Sequence, residues 1–181
     1  MSYYLFGSFS SKHRSDEQIR LLRETLKSRG VFVHLDEDLD WAKPAREDLF
    51  WGDVKEVLKE HPCSHPYHFT FSSADQPCNG HDMLFPWDRY SFEELYPNGT
   101  DDRSTFMECA AQILDRTKWA LQQLILYFQV REMRVFIDGG FDNTFEVVSC
   151  TLEEMFEELK RQMWETGDFD GLPKFYQIRI P

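Results

Sequence analysis

Apolar and polar residues follow one another along the chain in patterns that predict alternating strands and helices. The aromatic-rich run 3–6 predicts a first strand that ends at Gly7 and the serines after it. A helix is predicted from Ser15, because Gln18 stands three residues later and completes a capping box before an apolar stripe of helical spacing. The apolar run 31–35 then predicts a second strand.

The same periodicities predict further elements in the rest of the chain. They are a helix over 49–58, a strand over 67–72, a long helix opened by a Thr105 capping box, a hairpin of strands 133–137 and 145–150, a helix with a capping box from Thr151 to Glu154, and a last strand over 175–180. The hairpin is predicted because the loop 138–143 contains two glycines and Asn143, which readily adopt positive φ angles.

Strands interleaved with helices and joined in part by a hairpin favour an α+β fold. We expect a single domain over residues 1–181, with a mixed or mainly antiparallel sheet packed against several helices. A loop-rich segment covers residues 61–103 and contains five of the eight prolines. Such a segment within one domain indicates a functional surface or an excursion from the core.

Composition adds limits on the type of protein. Hydrophobic residues make up 41% of the 181 positions, which is enough for a packed core. No apolar run approaches the roughly 18 residues that a membrane helix needs, and the N-terminal residues do not resemble a secretory signal. We therefore expect a cytoplasmic protein whose four cysteines are reduced.

The formal net charge of −12 changes the expectation about partners. Residues 1–60 hold 10 basic and 12 acidic side chains, whereas residues 61–181 hold 10 and 20. An acidic surface repels phosphate backbones and anionic membranes, so neither nucleic acid nor a membrane is an expected partner. A basic protein is attracted instead, although solubility alone is the simpler explanation of the charge.

Acidic residues stand beside aromatic ones in two places, which is the composition of a surface for a basic partner. The candidate partner-binding residues are Asp36, Glu37, Asp38, Asp40 and Trp41, and then Asp82, Trp87, Asp88, Glu93, Glu94, Tyr96, Asp101 and Asp102. A third cluster, residues 153–158, is better explained as the solvated face of a helix, in which Glu157 can pair with Arg161.

Two alternatives depend on histidines and cysteines near residues 61–81. Cys63, His65, Cys78 and His81 are candidate zinc ligands, although their spacing matches no standard zinc finger. Cys63 or Cys78 beside a histidine could also act as a nucleophile with its base. Phosphate-binding loops, nucleophile elbows and metalloprotease helices are absent from the sequence, so we expect no enzyme activity and no cofactor.

Residues 133–148, followed by the acidic helix from Thr151, resemble the closing hairpin and helix of immunity proteins from bacterial polymorphic-toxin and contact-dependent inhibition systems. The size and the acidity of the chain are also similar. The resemblance implies a cytoplasmic protein that binds a toxin domain, often a nuclease, and blocks its active site or its substrate surface. It implies no catalytic residue, and it leaves the identity of the toxin and the oligomeric state open.

Overall fold

The computed structural model describes residues 4–11, 15–36, 67–73, 103–138, 147–166 and 175–181, which we call the framework. Six strands belong to it: β1 (Tyr4–Ser10), β2 (Val31–Asp36), β3 (Tyr67–Ser73), β4 (Glu132–Asp138), β5 (Val147–Thr151) and β6 (Phe175–Arg179). Three helices belong to it as well: α1 (Asp16–Lys27), α2 (Arg103–Phe128) and α3 (Leu152–Thr166). The helix predicted over residues 49–58 lies outside the framework.

The six strands form one mixed sheet in the order β2-β3-β1-β4-β6-β5. All neighbouring pairs are antiparallel except β5 and β6, which are parallel and are connected through α3. This arrangement confirms the predicted α+β fold with a mixed sheet packed against helices. The strand predicted over residues 67–72 is confirmed as β3, and the last predicted strand is confirmed as β6.

The predicted hairpin of residues 133–150 is wrong. Both of its strands exist, but β6 lies between them and pairs with β4 on one side and with β5 on the other. Pairing with β6 places Met133 opposite Ile178 and Ile178 opposite Cys150, so that three buried side chains line one face of the sheet. Burial of this apolar row outweighs the local preference of a glycine-containing loop for a tight turn.

The first strand is longer than predicted, because β1 continues through Gly7 to Ser10. Gly7 lies in mid-strand, opposite Phe69 of β3 and Val135 of β4. A Cβ atom at this position would lie 2.6 Å from the ring of Phe69 and would also collide with the carbonyl oxygen of Arg134. Glycine therefore serves here to let neighbouring groups approach the backbone closely.

The three helices form a layer on one face of the sheet, with α2 between α1 and α3. The two faces of β2 differ in burial, because Val31 and Val33 are buried and Phe32 is 43% exposed. The core lies between the helices and the face of the sheet that they cover. Its fully buried side chains include Phe9, Leu22, Leu26, Leu114, Leu121, Leu124, Phe128, Met133, Val135, Phe156 and Leu159. The rings of Phe9 and Phe128 stack at 5.4 Å between centroids.

Two of the predicted helix starts are confirmed. The Ser15 hydroxyl accepts a hydrogen bond from the backbone N–H of Gln18, whose side chain accepts one from the backbone N–H of Ser15. Thr151 and Glu154 make the same reciprocal pair at the start of α3. The Thr105 prediction is wrong, because α2 begins at Arg103 and Thr105 is already helical. No helix of the framework is long and apolar enough to cross a membrane.

Candidate functional site

All of the predicted site residues except Asp36 lie outside the framework. Asp36 is the last residue of β2 and lies opposite His68 in the register of β2 with β3. The other predicted partner-binding residues, which are outside the framework, are Glu37, Asp38, Asp40, Trp41, Asp82, Trp87, Asp88, Glu93, Glu94, Tyr96, Asp101 and Asp102. Their role in binding a partner stays a prediction.

The charge of the chain is divided unequally between the framework and the rest. The framework contains 12 basic and 13 acidic side chains and is close to neutral. Residues 37–66 and 74–102, which we call the acidic segments, contain five basic and 15 acidic side chains. These two segments therefore account for −10 of the net charge of −12.

The carboxylates of α3 are largely neutralised by basic side chains of the framework. Arg161 forms ion pairs with Glu158, at 2.5 Å between Nη2 and Oε1, and with Glu165. The predicted pair of Glu157 with Arg161 is wrong, because Arg161 pairs instead with Glu158, three residues before it, and with Glu165, four residues after it. Further ion pairs connect α3 to neighbouring elements: Lys160 with Asp115, Lys118 with Glu153, and Arg179 with Glu154.

Two of these carboxyl groups are held more acidic than an ordinary glutamate. The pKa of Glu154 is lowered first by its hydrogen bonds with Thr151 and then by Arg179, whose Nη2 lies 3.0 Å from the carboxylate. The pKa of Glu158 is lowered by its hydrogen bonds with Arg161. The acidic cluster of α3 is thus engaged within the framework, which supports its explanation as helix-terminus and ion-pair chemistry.

On α1, the ion pairs within the framework include one of the basic side chains and leave out two others. Arg20 contacts Glu17 and Glu24 at 2.6 Å each, and this arginine lowers the pKa of Glu17. Within the framework, neither Arg23 nor Lys27 forms an ion pair, and both side chains are exposed. The side of α1 that carries these two residues is therefore positively charged.

A groove lies between this side of α1 and the strand β2. It has a volume of about 250 Å³, and its lining residues are Arg23, Glu24, Lys27, Phe32 and Val33. Within the framework β2 is an end strand of the sheet and pairs with β3 alone. The groove thus combines an exposed aromatic ring, two cations and the edge of a strand that has no further neighbour among the described strands.

The face of the sheet opposite the helices contains a row of polar residues on the four neighbouring strands β1, β4, β6 and β5. In the register of the strands, this row consists of Ser8, Arg134, Gln177 and Ser149. Arg134 donates a hydrogen bond from Nε to Oε1 of Gln177 at 2.7 Å, and its guanidinium lies 5.4 Å from the ring centroid of Phe175. Ser8 and Phe175 are both buried.

Sequence patterns did not point to the groove or to the polar row. The alternation within Val31 to Leu35 carries a signal for Phe32, because period two places it opposite the buried valines. Arg23 and Lys27 stand one residue after the buried Leu22 and Leu26, which places them at the border of the apolar stripe of α1. The polar row depends on registers between strands that are distant in the sequence.

No group of three or more potential metal ligands occurs within the framework. The zinc candidates Cys63, His65, Cys78 and His81 lie outside it, so both the zinc site and the cysteine–histidine pair stay predictions. Cys150 is a buried free cysteine of β5, and burial raises the pKa of its thiol. A thiol in this environment behaves as a small apolar side chain.

The chain was compared with protein-family models, with curated proteins and with solved structures, and none of the three comparisons found a match.

Proposed function

We propose that this chain is a cytoplasmic acidic inhibitor that binds a basic protein, of the kind represented by the immunity proteins of bacterial toxins. The observation that carries the proposal is the separation of charge, with −10 in the acidic segments and near neutrality in the framework. Charge needed for solubility alone has no reason to concentrate in this way, whereas a surface for a basic partner does.

The positions at which the acidic segments join the framework support the proposal. Residues 37–66 run from the end of β2 to the start of β3, and residues 74–102 run from the end of β3 to α2. The two segments thus meet the framework at opposite ends of the seven-residue strand β3, which are about 20 Å apart. A nearly neutral framework that the acidic segments join at these two points suits a partner with a broad basic cleft, such as a nuclease.

The acidic segments also contain the aromatic residues that such an interface needs. Trp41, Trp87 and Tyr96 stand among the carboxylates, and large aromatic side chains supply much of the binding energy at protein interfaces. The carboxylates steer the encounter with a basic partner, so association is expected to slow as the ionic strength rises. Tight binding and salt-sensitive association together are the signature of this mechanism.

The test compares charge reversal in an acidic segment with an equal reversal on the framework. The first variant is Asp82→Lys with Asp88→Lys, and the matched control is Glu108→Lys with Glu157→Lys, two exposed framework residues that form no ion pair there. The probe is the protein encoded by the reading frame next to this gene, and binding is measured by isothermal titration calorimetry at low and physiological salt.

We expect the segment variant to lose about tenfold or more in affinity, and the control to change little. Adding Glu93→Lys and Glu94→Lys to the segment variant should abolish protection of cells that express the partner. The proposal is overturned if the neighbouring protein does not bind, or if it binds both variants equally and protection persists in the fourfold variant.

A further inference from the structure

The edge of β2 offers a second interaction surface whose charge is opposite to that of the acidic segments. Val33 and Phe32 form the strand side of the groove, and Arg23 and Lys27 form its helix side. The carboxylate of Glu24 also borders the groove and shares Arg20 with Glu17. The two cations Arg23 and Lys27 outnumber this one carboxylate, so the lining of the groove has a net positive charge.

We propose that the β2 edge binds an extended acidic peptide segment of another protein, which adds to the sheet as a further strand beside β2. An end strand presents backbone N–H and C=O groups that a further strand can pair with, and this is a recurrent mode of peptide recognition. The inference is argued from α1 and β2 alone and does not rest on the proposed inhibitor function.

The geometry of the groove specifies the sequence pattern of the bound segment. Side chains of an added strand alternate between the two faces of the sheet. On the helix side they meet Arg23 and Lys27, which favour carboxylates. On the opposite side they lie beside Phe32, which is 43% exposed and favours an apolar or β-branched neighbour. The segment that fits alternates acidic and β-branched residues.

A second copy of this chain is a poorer occupant than an acidic segment of another protein. Pairing of β2 with β2 across a two-fold axis presents the same surface from both sides. Arg23 and Lys27 of one copy would then approach the same cations of the other, and like charges repel. Charge complementarity therefore favours an acidic partner.

The probe is a short fluorescein-labelled peptide that alternates glutamate and valine, and the control peptide alternates lysine and valine. Fluorescence anisotropy measures binding to the full chain, and amide hydrogen exchange measures protection of β2. We expect the glutamate peptide to bind, to slow exchange of amides within Val31–Asp36, and to bind more weakly as salt is added. We expect the lysine peptide not to bind.

Three sets of substitutions locate the site. Arg23→Gln with Lys27→Gln should weaken the glutamate peptide by about tenfold, because two exposed charge contacts are lost. Arg131→Gln with Arg179→Gln removes the same charge from exposed positions elsewhere and should leave binding unchanged. Phe32→Ser should weaken binding while the chain stays folded by circular dichroism.

The inference is overturned if the lysine peptide binds equally well, if both pairs of glutamine substitutions have the same effect, or if β2 gains no protection. It is also overturned if sedimentation shows that the chain forms a dimer that Phe32→Ser dissociates. None of these results bears on whether the acidic segments bind a basic protein.

Discussion

The framework and the acidic segments differ in their balance of acidic and basic residues. The framework contains 13 acidic and 12 basic side chains, and several of them form ion pairs between neighbouring helices and strands. The acidic segments contain 15 acidic and five basic side chains. The net charge of the chain is therefore a property of two segments and not of the folded sheet and its helices.

This difference allows stability and the proposed binding to be tested separately in this protein. The framework has its own apolar core, in which Phe9 and Phe128 stack and Leu121 is fully buried. Its charges are used locally, at helix ends and between adjacent elements. Changes to the core or the caps should alter the free energy of unfolding, whereas changes to the acidic segments should alter binding.

The largest expected effect on stability comes from the core. Phe9→Ala removes a fully buried ring that packs against Phe128 and Phe69, and it should lower the free energy of unfolding by about 3–5 kcal/mol. Urea denaturation followed by circular dichroism measures the change. The control is Leu126→Ala, which truncates a side chain that is 68% exposed and should cost little.

If Phe9→Ala and Asp82→Lys with Asp88→Lys destabilise the chain to a similar extent, the separation of stability from charge fails. A smaller effect of Phe9→Ala than of Leu126→Ala would contradict the location of the core itself.

An intermediate effect is expected at the start of α1. Ser15→Ala removes the hydroxyl that accepts the backbone N–H of Gln18 at 3.2 Å, and it should cost about 1 kcal/mol. Gln122→Ala on the exposed side of α2 serves as a control with no expected loss. Equal losses in the two variants, measured by urea denaturation, would show that the capping box contributes nothing.

The smallest effect concerns the dependence of stability on pH. The pKa of Glu154 is lower in the folded chain than the value of about 4.3 in an unfolded one, because Thr151 and Arg179 stabilise the ionised form. Its contribution is therefore complete above about pH 4.3 and is lost as the pH falls through the lower folded value. Glu154→Gln should lose less stability than the unmodified chain between about pH 6 and pH 3.

Thermal unfolding across this pH range tests the prediction, with Glu157→Gln as the control because Glu157 forms no ion pair within the framework. If the two variants have the same pH profile, the hydrogen bonds of Glu154 have no effect on folding.

Local features of the fold were predictable from the sequence, because they depend on residues close together in the chain. The capping boxes at Ser15 and Thr151 are examples, and both are present as predicted. The strands β2, β3 and β6 and the helices α1 and α3 were also predictable, since each carries its own periodicity. The mixed α+β class follows from their order.

Features that depend on distant partners were not predictable. The loop after β4 carries the residues of a tight turn, yet β6, formed by residues 175–179, takes the position beside β4. Gly7 was expected to end a strand, but it allows the close approach of Phe69 from another part of the chain. In both cases the deciding contact joins segments that no local pattern connects.

The candidate site was predictable only in its composition. Acidity and aromatic content suggested a binding surface, and of its residues the framework includes Asp36 alone. The groove beside β2 was not predicted, because it requires knowing that β2 ends the described sheet and that α1 lies along it. The charge of Arg23 and Lys27 becomes informative once Glu17 and Glu24 are known to pair with Arg20 and not with these two residues.

The position of β6 between β4 and β5 has a consequence for the newly made chain. During synthesis, β4, β5 and α3 leave the ribosome before β6 does, so until then β4 and β5 each lack a neighbour that they have in the finished sheet. Unpaired strand edges promote association between chains. The arrival of residues 175–179 closes this gap, so the edges of β4 and β5 that β6 later covers stay open until β6 has been made.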